Sequence, residues 1–559
     1  MNINKQCLRI EYIHLFFFIA FIFTIFISIN IGNSFSFKDQ NYFYDLNLTD
    51  NIKNESFVQF NTQTIIKNIN GVNNTMFSIN GQIPGPIIKT SKDNLLFINF
   101  TNYLNEDSII HWHGIKLDNL YDGVPNLTQK PIKPGESFVY KINFPDEGVY
   151  WYHSHVREDK QQELGLYGLI IVEPLSSTYY NDVDLEIPLI LDDILLNNNS
   201  SIYPFEDDLE TFSLMGRYGN TMFINGQLDY SLDINKNSIV RFFIVNTANA
   251  KPFNFTVENH DLKLVGGDAG KFEKESFVNS VILSPSERAI VEIFFNNSGT
   301  FNILNQIPNK NEIIGTIKVF DNNKTEPKIT NIETEKKNKI NTFFDVKTND
   351  EMTESINQLK KYFDKDPDYY VELDMETNDI INMHNMNMHN MNMNMQDESH
   401  NSKENMDIHD KTIHSSNSTH SKNIEKIEWQ VPDEMYEINK NSNNENIKWI
   451  LRDKETGKEN ENLILNMSVG DIKKIRFYNN PNSPHPMQHP IHIHGIHFLV
   501  LNVDGKQNDN LVWKDTVLIP TGSTVDILMF ADNPGKWQFH CHISEHLGAG
   551  MASIIDIKN

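Results

Sequence analysis

Short runs of alternating apolar and polar residues, each opened by a turn, recur along most of this 559-residue chain. The runs "DNLLFINFTNYL" (93–104), "KNSIVRFFIVNTAN" (236–249) and "VGDIKKIRFYNN" (469–480) share a polar start, an alternating body and an asparagine-containing exit. Alternation with period two places the apolar set on one face of a β-strand. A second trio follows in the same order: "KPGESFVYKINF" (133–144), "SPSERAIVEIFF" (284–295) and "PTGSTVDILMF" (520–530). A third closes each unit: "GVYWYHSH" (148–155), "GTFNILNQ" (299–306) and "GKWQFHCH" (535–542). The first two units also share "INGQ", at 79–82 and 224–227. Short strands with closely spaced turn signals make β-sandwiches. The expectation is an all-β chain of three sandwiches, at 40–178, 185–345 and 368–559.

Two stretches break the pattern. Lys5 and Arg9 precede the apolar run "LFFFIAFIFTIFISI" (15–29), and small residues follow at Ser34 and Ser36. That order predicts a signal peptide over 1–36 and a secreted or secretory-lumen protein. The alternative is an uncleaved anchor, the one membrane contact expected. The second stretch, 375–422, is a polar insert in the third unit that cannot build a core and is expected to be disordered. Its run "MHNMNMHNMNMNM" places Met383, Met386, Met388, Met391, Met393 and Met395 beside His384 and His389. Thioethers are soft ligands that favour Cu(I), so the tract is a candidate copper-collecting loop. The plainer reading is a slipped low-complexity repeat, because surface insertions cost little.

Charge and cysteine content narrow the chemistry. A net charge of −26 excludes nucleic acid as a partner. Sequons such as Asn47 and Asn99 fit export, although an asparagine-rich chain supplies many by chance. Of two cysteines, Cys7 lies in the leader, so Cys541 has no internal disulfide partner after cleavage. A lone exported cysteine is a reactive thiol, an intermolecular bridge or a metal ligand.

Ten of the twenty histidines fall in four clusters: His111 and His113; His153 and His155; His489, His492 and His494; His540, His542 and His546. The middle unit has "GTFNILNQ" where its siblings carry histidines, and is therefore read as a spacer without metal ligands. In "HWH", "HSH", "HIH" and "HCH" the two imidazoles share one face of a strand, and their flanks are apolar. Buried neighbouring imidazoles need partners, and eight of them suit a cluster of several metal ions. Cys541 points to the opposite face from His540 and His542 and can bind a separate metal there. His546, Met551 and His489 complete two His, one Cys and a weak axial thioether, the ligand set of a blue-copper site.

With "HWHG", "WYHSH", "HPIHIHG" and "HCHISEHLGAGM" all present, the chain resembles the multicopper oxidases over 40–559. The resemblance is to the three-domain type that includes laccases, ferroxidases and cuprous oxidases. It implies three cupredoxin-like Greek-key domains and four copper ions per chain. The type 1 copper would sit on His489, Cys541, His546 and Met551. The type 2 copper would sit on His111 and His492. The type 3 pair would take His113, His153, His155, His494, His540 and His542. Electrons would enter near the surface through His489 or His546, pass along Cys541, and reduce O2 to water at the three-copper cluster. Asp122, in "YDGVP", matches the position of a proton donor in related enzymes, and a turn role is the alternative. Leu547 stands where some relatives have a second acid, and Glu545 beside it has no assigned role. Asp515 is a candidate for orienting a ligand imidazole. His485 and His497 lie outside the copper pattern. The expected donor is Cu(I), with a phenol or amine next and Fe(II) third. The alternative function is copper binding and storage, in which the Met/His tract matters more than turnover.

Overall fold

The computed structural model describes residues 43–45, 57–321, 330–378 and 426–559. The leader and the tract residues Met383 to Met395, with His384 and His389, lie outside the described residues. What is described is mostly strand, arranged in three pairs of facing sheets. Each pair encloses its own apolar core, one around Phe60, Ile98 and Trp112, one around Phe242, Phe255 and Val291, one around Phe477, Phe498 and Trp537. Separate cores are what separate sandwiches produce.

The first sandwich places Ile110–His113 at the edge of a sheet beside Gly148–Ser154, which in turn pairs with Tyr167–Glu173. The third places His489–Ile493 between Gly535–Cys541 and Thr516–Ile519. Non-consecutive strands are neighbours throughout, and parallel pairs occur, such as Leu185–Ile194 with Ser238–Asn246. Register aligns the histidine motifs in pairs: His111 lies opposite His153, and His492 opposite His540.

The stretch between the second and third sandwiches departs from an all-strand reading. Residues Thr330–Phe344 and Asp350–Leu359 are α-helices. Asn349 caps the second helix by accepting from Met352 N, and Asp350 and Glu351 occupy its first turn. Its Met352 and Ile356, four apart, pack on Leu499, Leu501, Leu511 and Leu528 of the third sandwich.

The insert also begins later than 375. Residues up to Thr377 belong to the strand Tyr369–Thr377, where Val371, Leu373 and Met375 alternate into the core. That strand pairs antiparallel with Ile447–Asp453, Met375 opposite Trp449 and Thr377 opposite Ile447. Everything between 378 and 446 therefore connects two adjacent strands, and their ladder pins both ends of the connection.

Candidate metal centre

The four motifs converge at the meeting of the first and third sandwiches. Ligand atoms of three histidine sets lie within 4.8 Å of one another: His111, His113 and His492; His113, His153 and His542; His155, His494 and His540. A fourth set, His489, Cys541 and His546, lies separately. All of these side chains are buried. The alternation of a strand accounts for the split, because His540 and Cys541 point to opposite faces of Gly535–Cys541.

In the separate set, Cys541 Sγ is 3.6 Å from both His489 Nδ1 and His546 Nδ1. The two nitrogens are 3.3 Å apart. Such spacings are what one first-row ion with ligand bonds of ~2.0–2.3 Å imposes on its donors. Met551 is buried beside them, its N–H donating to His546 O and its carbonyl accepting from Cys541 N. Burial pushes the Cys541 thiol up, so ligation there releases a proton. Burial, with repulsion from nearby His485, lowers His489 to about 3 and keeps it neutral.

Seven of the eight cluster histidines are held by an outer nitrogen, and both ring nitrogens of His542 are buried without a hydrogen-bond partner. His111 Nδ1 donates to Asp122 O at 2.7 Å, His153 Nδ1 to Ser154 O at 2.9 Å, His492 Nδ1 to Asp515 O at 2.9 Å and His540 Nδ1 to Cys541 O at 2.9 Å. His155 Nδ1 is 2.9 Å from Glu158 Oε1, and His494 Nδ1 is 3.0 Å from Asp122 Oδ2. His113 is reversed: its Nε2 meets Asp515 Oδ1 at 3.0 Å. The inner nitrogens His111 Nε2, His113 Nδ1, His153 Nε2, His155 Nε2 and His492 Nε2 are buried without a hydrogen-bond partner. Each orphaned acceptor costs ~1–3 kcal/mol, and one chemistry that satisfies all of them together is metal ligation. Copper fits this donor set, which combines imidazoles with one thiolate.

Three buried carboxylates complement the cationic charge such ions bring. Asp122 lies beside His494 and His111. It also ends the turn Asn119–Tyr121, which is the turn role expected as the alternative. Gly123 after it has φ +81°, and a Cβ there would sit 1.9 Å from Ile110 O. Burial alone would raise Asp515, but Arg288 and His113 hold it well below the usual carboxylate range. Glu158, also buried, is brought to about 2 against the effect of burial by His155.

Sequence reasoning missed Glu158, although its place three residues after His155 is a usable signal. It also missed Trp449, whose ring centroid is 4.2 Å from His546 and 4.8 Å from His489. Both histidine rings are buried in contact with this indole. Glu545, left without a role, is fully buried and raised to about 7 by that burial. His497 is a buried donor from Nε2 to Gly114 O at 2.7 Å, outside the ligand sets. His485 is half-buried near the Cys541 site and belongs to none of the ligand sets either. In the middle sandwich, His260 packs between Phe295 and Phe301.

Comparison with known proteins agrees with this chemistry. Family models described as multicopper oxidase match residues 61–177, 175–324 and 426–559. The chain is 24% identical to the multicopper oxidase mco of Staphylococcus aureus over 86% of its length and 83% of the relative's. It is 24% identical to Laccase-7 of Arabidopsis thaliana over 86% and 88%. It is 23% identical to the iron transport multicopper oxidase FET3 of Kluyveromyces lactis over 86% and 72%. Among solved structures, a multicopper oxidase of Pseudomonas thermotolerans superposes with a TM-score of 0.61 at 20% identity, covering 90% of this chain and 99% of that one. The cupredoxin-like fold follows from that likeness, and on the three family matches the chain belongs to the multicopper oxidases, copper-dependent oxidases that use O2 as acceptor.

Proposed function

We propose that the chain is an exported copper oxidase whose preferred electron donor is Cu(I), with phenols or amines as slower donors and O2 as acceptor. His489, Cys541, His546 and axial Met551 would hold a type 1 copper, and His111 with His492 a type 2 copper. His113, His153 and His542 would hold one ion of a type 3 pair, and His155, His494 and His540 the other. Four coppers per chain, when bound, supply one-electron oxidation of the donor and four-electron reduction of O2 to two waters.

The observation that carries this reading is that one strand end, His540–Cys541–His542, serves both sites. Its peptide bonds give a covalent path between the thiolate and the histidine cluster. A protein that only stored copper has no use for such a path. Reduction of O2 consumes protons, and Asp122 Oδ1, buried at the cluster, is the candidate atom to hold one. Trp449 packs against both proposed type 1 histidines, and this reading gives it the role of keeping bulky donors from them.

Support for Cu(I) comes from where the Met/His tract is rooted. Its N-terminal stem ends at Thr377, two residues from Met375, the cross-strand partner of Trp449. On its C-terminal side, Glu428 N donates to Gln488 Oε1, next to His489, and Met435 is buried in the core that holds Cys541. Both roots thus flank the proposed electron entry. Export rests on the leader, and among the described residues no helix is long and apolar enough to cross a membrane.

Oxygen consumption by the copper-loaded protein, with Cu(I) or a phenol as donor and with or without residues 383–395, tests the substrate. Deletion should cut Cu(I) turnover and spare the phenol. Equal rates for both donors in both proteins would remove the Cu(I) reading and leave laccase-type chemistry.

A further inference from the structure

The middle sandwich, which contributes none of the candidate ligands, reaches the histidine cluster at Asp515, where Arg288 meets its carboxylate and Asp268 Oδ2 accepts from its backbone N–H at 3.3 Å. Arg288 begins the strand Arg288–Phe295 and is fully buried, 2% exposed. Its Nη1 donates to Asp515 Oδ1 at 2.6 Å, and its Nη2 to Asp515 Oδ2, a two-pronged pairing. Its Nε donates to Val149 O at 2.8 Å, in the strand Gly148–Ser154 that carries His153. One guanidinium therefore ties together all three sandwiches.

Asp515 is the hinge of this arrangement. Its Oδ1 holds His113 Nε2 at 3.0 Å and accepts from Thr516 Oγ1 at 2.9 Å, while its backbone carbonyl holds His492 Nδ1. His113 is the ligand candidate that gives its Nε2, rather than its Nδ1, to a protein partner, which leaves Nδ1 for the metal. The reversal depends on an ionised carboxylate at one place. Gly114 keeps that place clear, since a Cβ there would lie 2.3 Å from Asp515 Oδ2. Nearby Lys514 is spoken for by Asp268 and Glu287, each at 3.2 Å. Asp268, also of the middle sandwich, fixes Arg288 from behind by accepting its backbone N–H at 2.9 Å. The planar fork of arginine meets both carboxylate oxygens at once, which the single ammonium of a lysine does not.

We propose that Arg288 is a positioning residue for the copper cluster: through Asp515 it sets the tautomer and orientation of His113, so cluster loading depends on the middle domain. This rests on the copper reading above. Outer partners of metal-bound histidines typically change metal affinity by ~10- to 100-fold.

The test titrates copper into the metal-free full chain against a chelator, and records copper per chain, blue absorption and the magnetic resonance signal of type 2 copper. Wild type must first load both sites; failure there sinks the copper reading itself. In Arg288→Lys, the charge stays and the fork is lost. The expected result is about 10-fold or more weaker cluster loading with an altered type 2 signal, and unchanged blue absorption per chain. That retained colour is the internal control for folding. In Arg288→Ala, millimolar guanidinium should restore cluster copper where an alkylammonium of equal charge does not. Wild-type cluster affinity and signal in Arg288→Lys would overturn the proposal. If the alanine variant does not fold, the lysine variant decides alone.

Discussion

Trp449 lies with its ring 4.2 Å from the ring of His546, tilted by 31°, and its indole N–H donates to Ser213 O at 2.7 Å. It is 1% exposed and packs on both histidine rings, the contact that the proposed exclusion of bulky donors would use. Trp449→Phe should keep the blue site and cost about 1–2 kcal/mol for the carbonyl left unpaired. Trp449→Ala should cost about 3–5 kcal/mol and raise phenol turnover relative to Cu(I) turnover. Parallel thermal melts and donor rates check this, and an unchanged rate ratio in the alanine variant would remove the gating role.

In the proposed assignment Cys541 joins the two metal sites. Cys541→Ser should abolish blue absorption and donor-driven oxygen uptake while the histidine cluster still takes up copper. Metal analysis beside oxygen electrode traces separates the two outcomes. Surviving oxygen uptake would mean that electrons reach the cluster by another route.

Asp122 touches His494 with Oδ2 at 3.0 Å and holds His111 with its backbone carbonyl. Asp122→Asn keeps the carbonyl and the size of the side chain but removes the acid. Loss of a positioned acid lowers a proton-coupled step by about 10²-fold or more. The prediction is a slowed oxygen reaction with type 1 reduction at its normal rate, read by stopped-flow on the blue band. A slowed first phase instead would assign Asp122 to the structure of the site alone.

Glu428, beside the proposed electron entry, supplies a pH signature. Burial raises it from 4.5 to about 7. The folded chain then binds this proton more tightly than the unfolded chain does. Its contribution to stability is full below pH 4.5 and is lost as pH rises through about 7. Glu428→Gln should flatten the fall in melting temperature of the copper-free protein across that window. A parallel fall in both proteins would show that other groups govern it.

Much of the site is legible in the chain because ligand pairs are local. His111 with His113, or His540 with His542, share a face by strand alternation, and the opposite face of the same strand explains the separate placing of Cys541. Asp122 and Asp515 were visible as acids inside motifs. Arg288 was not, since "SPSERAIV" looks like any turn before a strand and its partner Asp515 is 227 residues away. Trp449 was not visible either, because a tryptophan in an alternating strand looks like core. The helices Thr330–Phe344 and Asp350–Leu359 were not visible either, because they lie in the connection between two units whose repeated signal is strand alternation.

Sequence alone determined the repeated strand pattern, the family resemblance, the candidate histidine and cysteine ligands and the net charge, because period-two alternation and side-chain chemistry are properties of neighbouring residues. Tertiary structure decided which nitrogen of each histidine faces inward, which carboxylate supports it, what closes the Cys541 site and how the ligand-free middle sandwich reaches the cluster. Those depend on side chains hundreds of residues apart meeting in a dry interior, where each buried polar atom takes whatever partner the packing of three sandwiches brings to it.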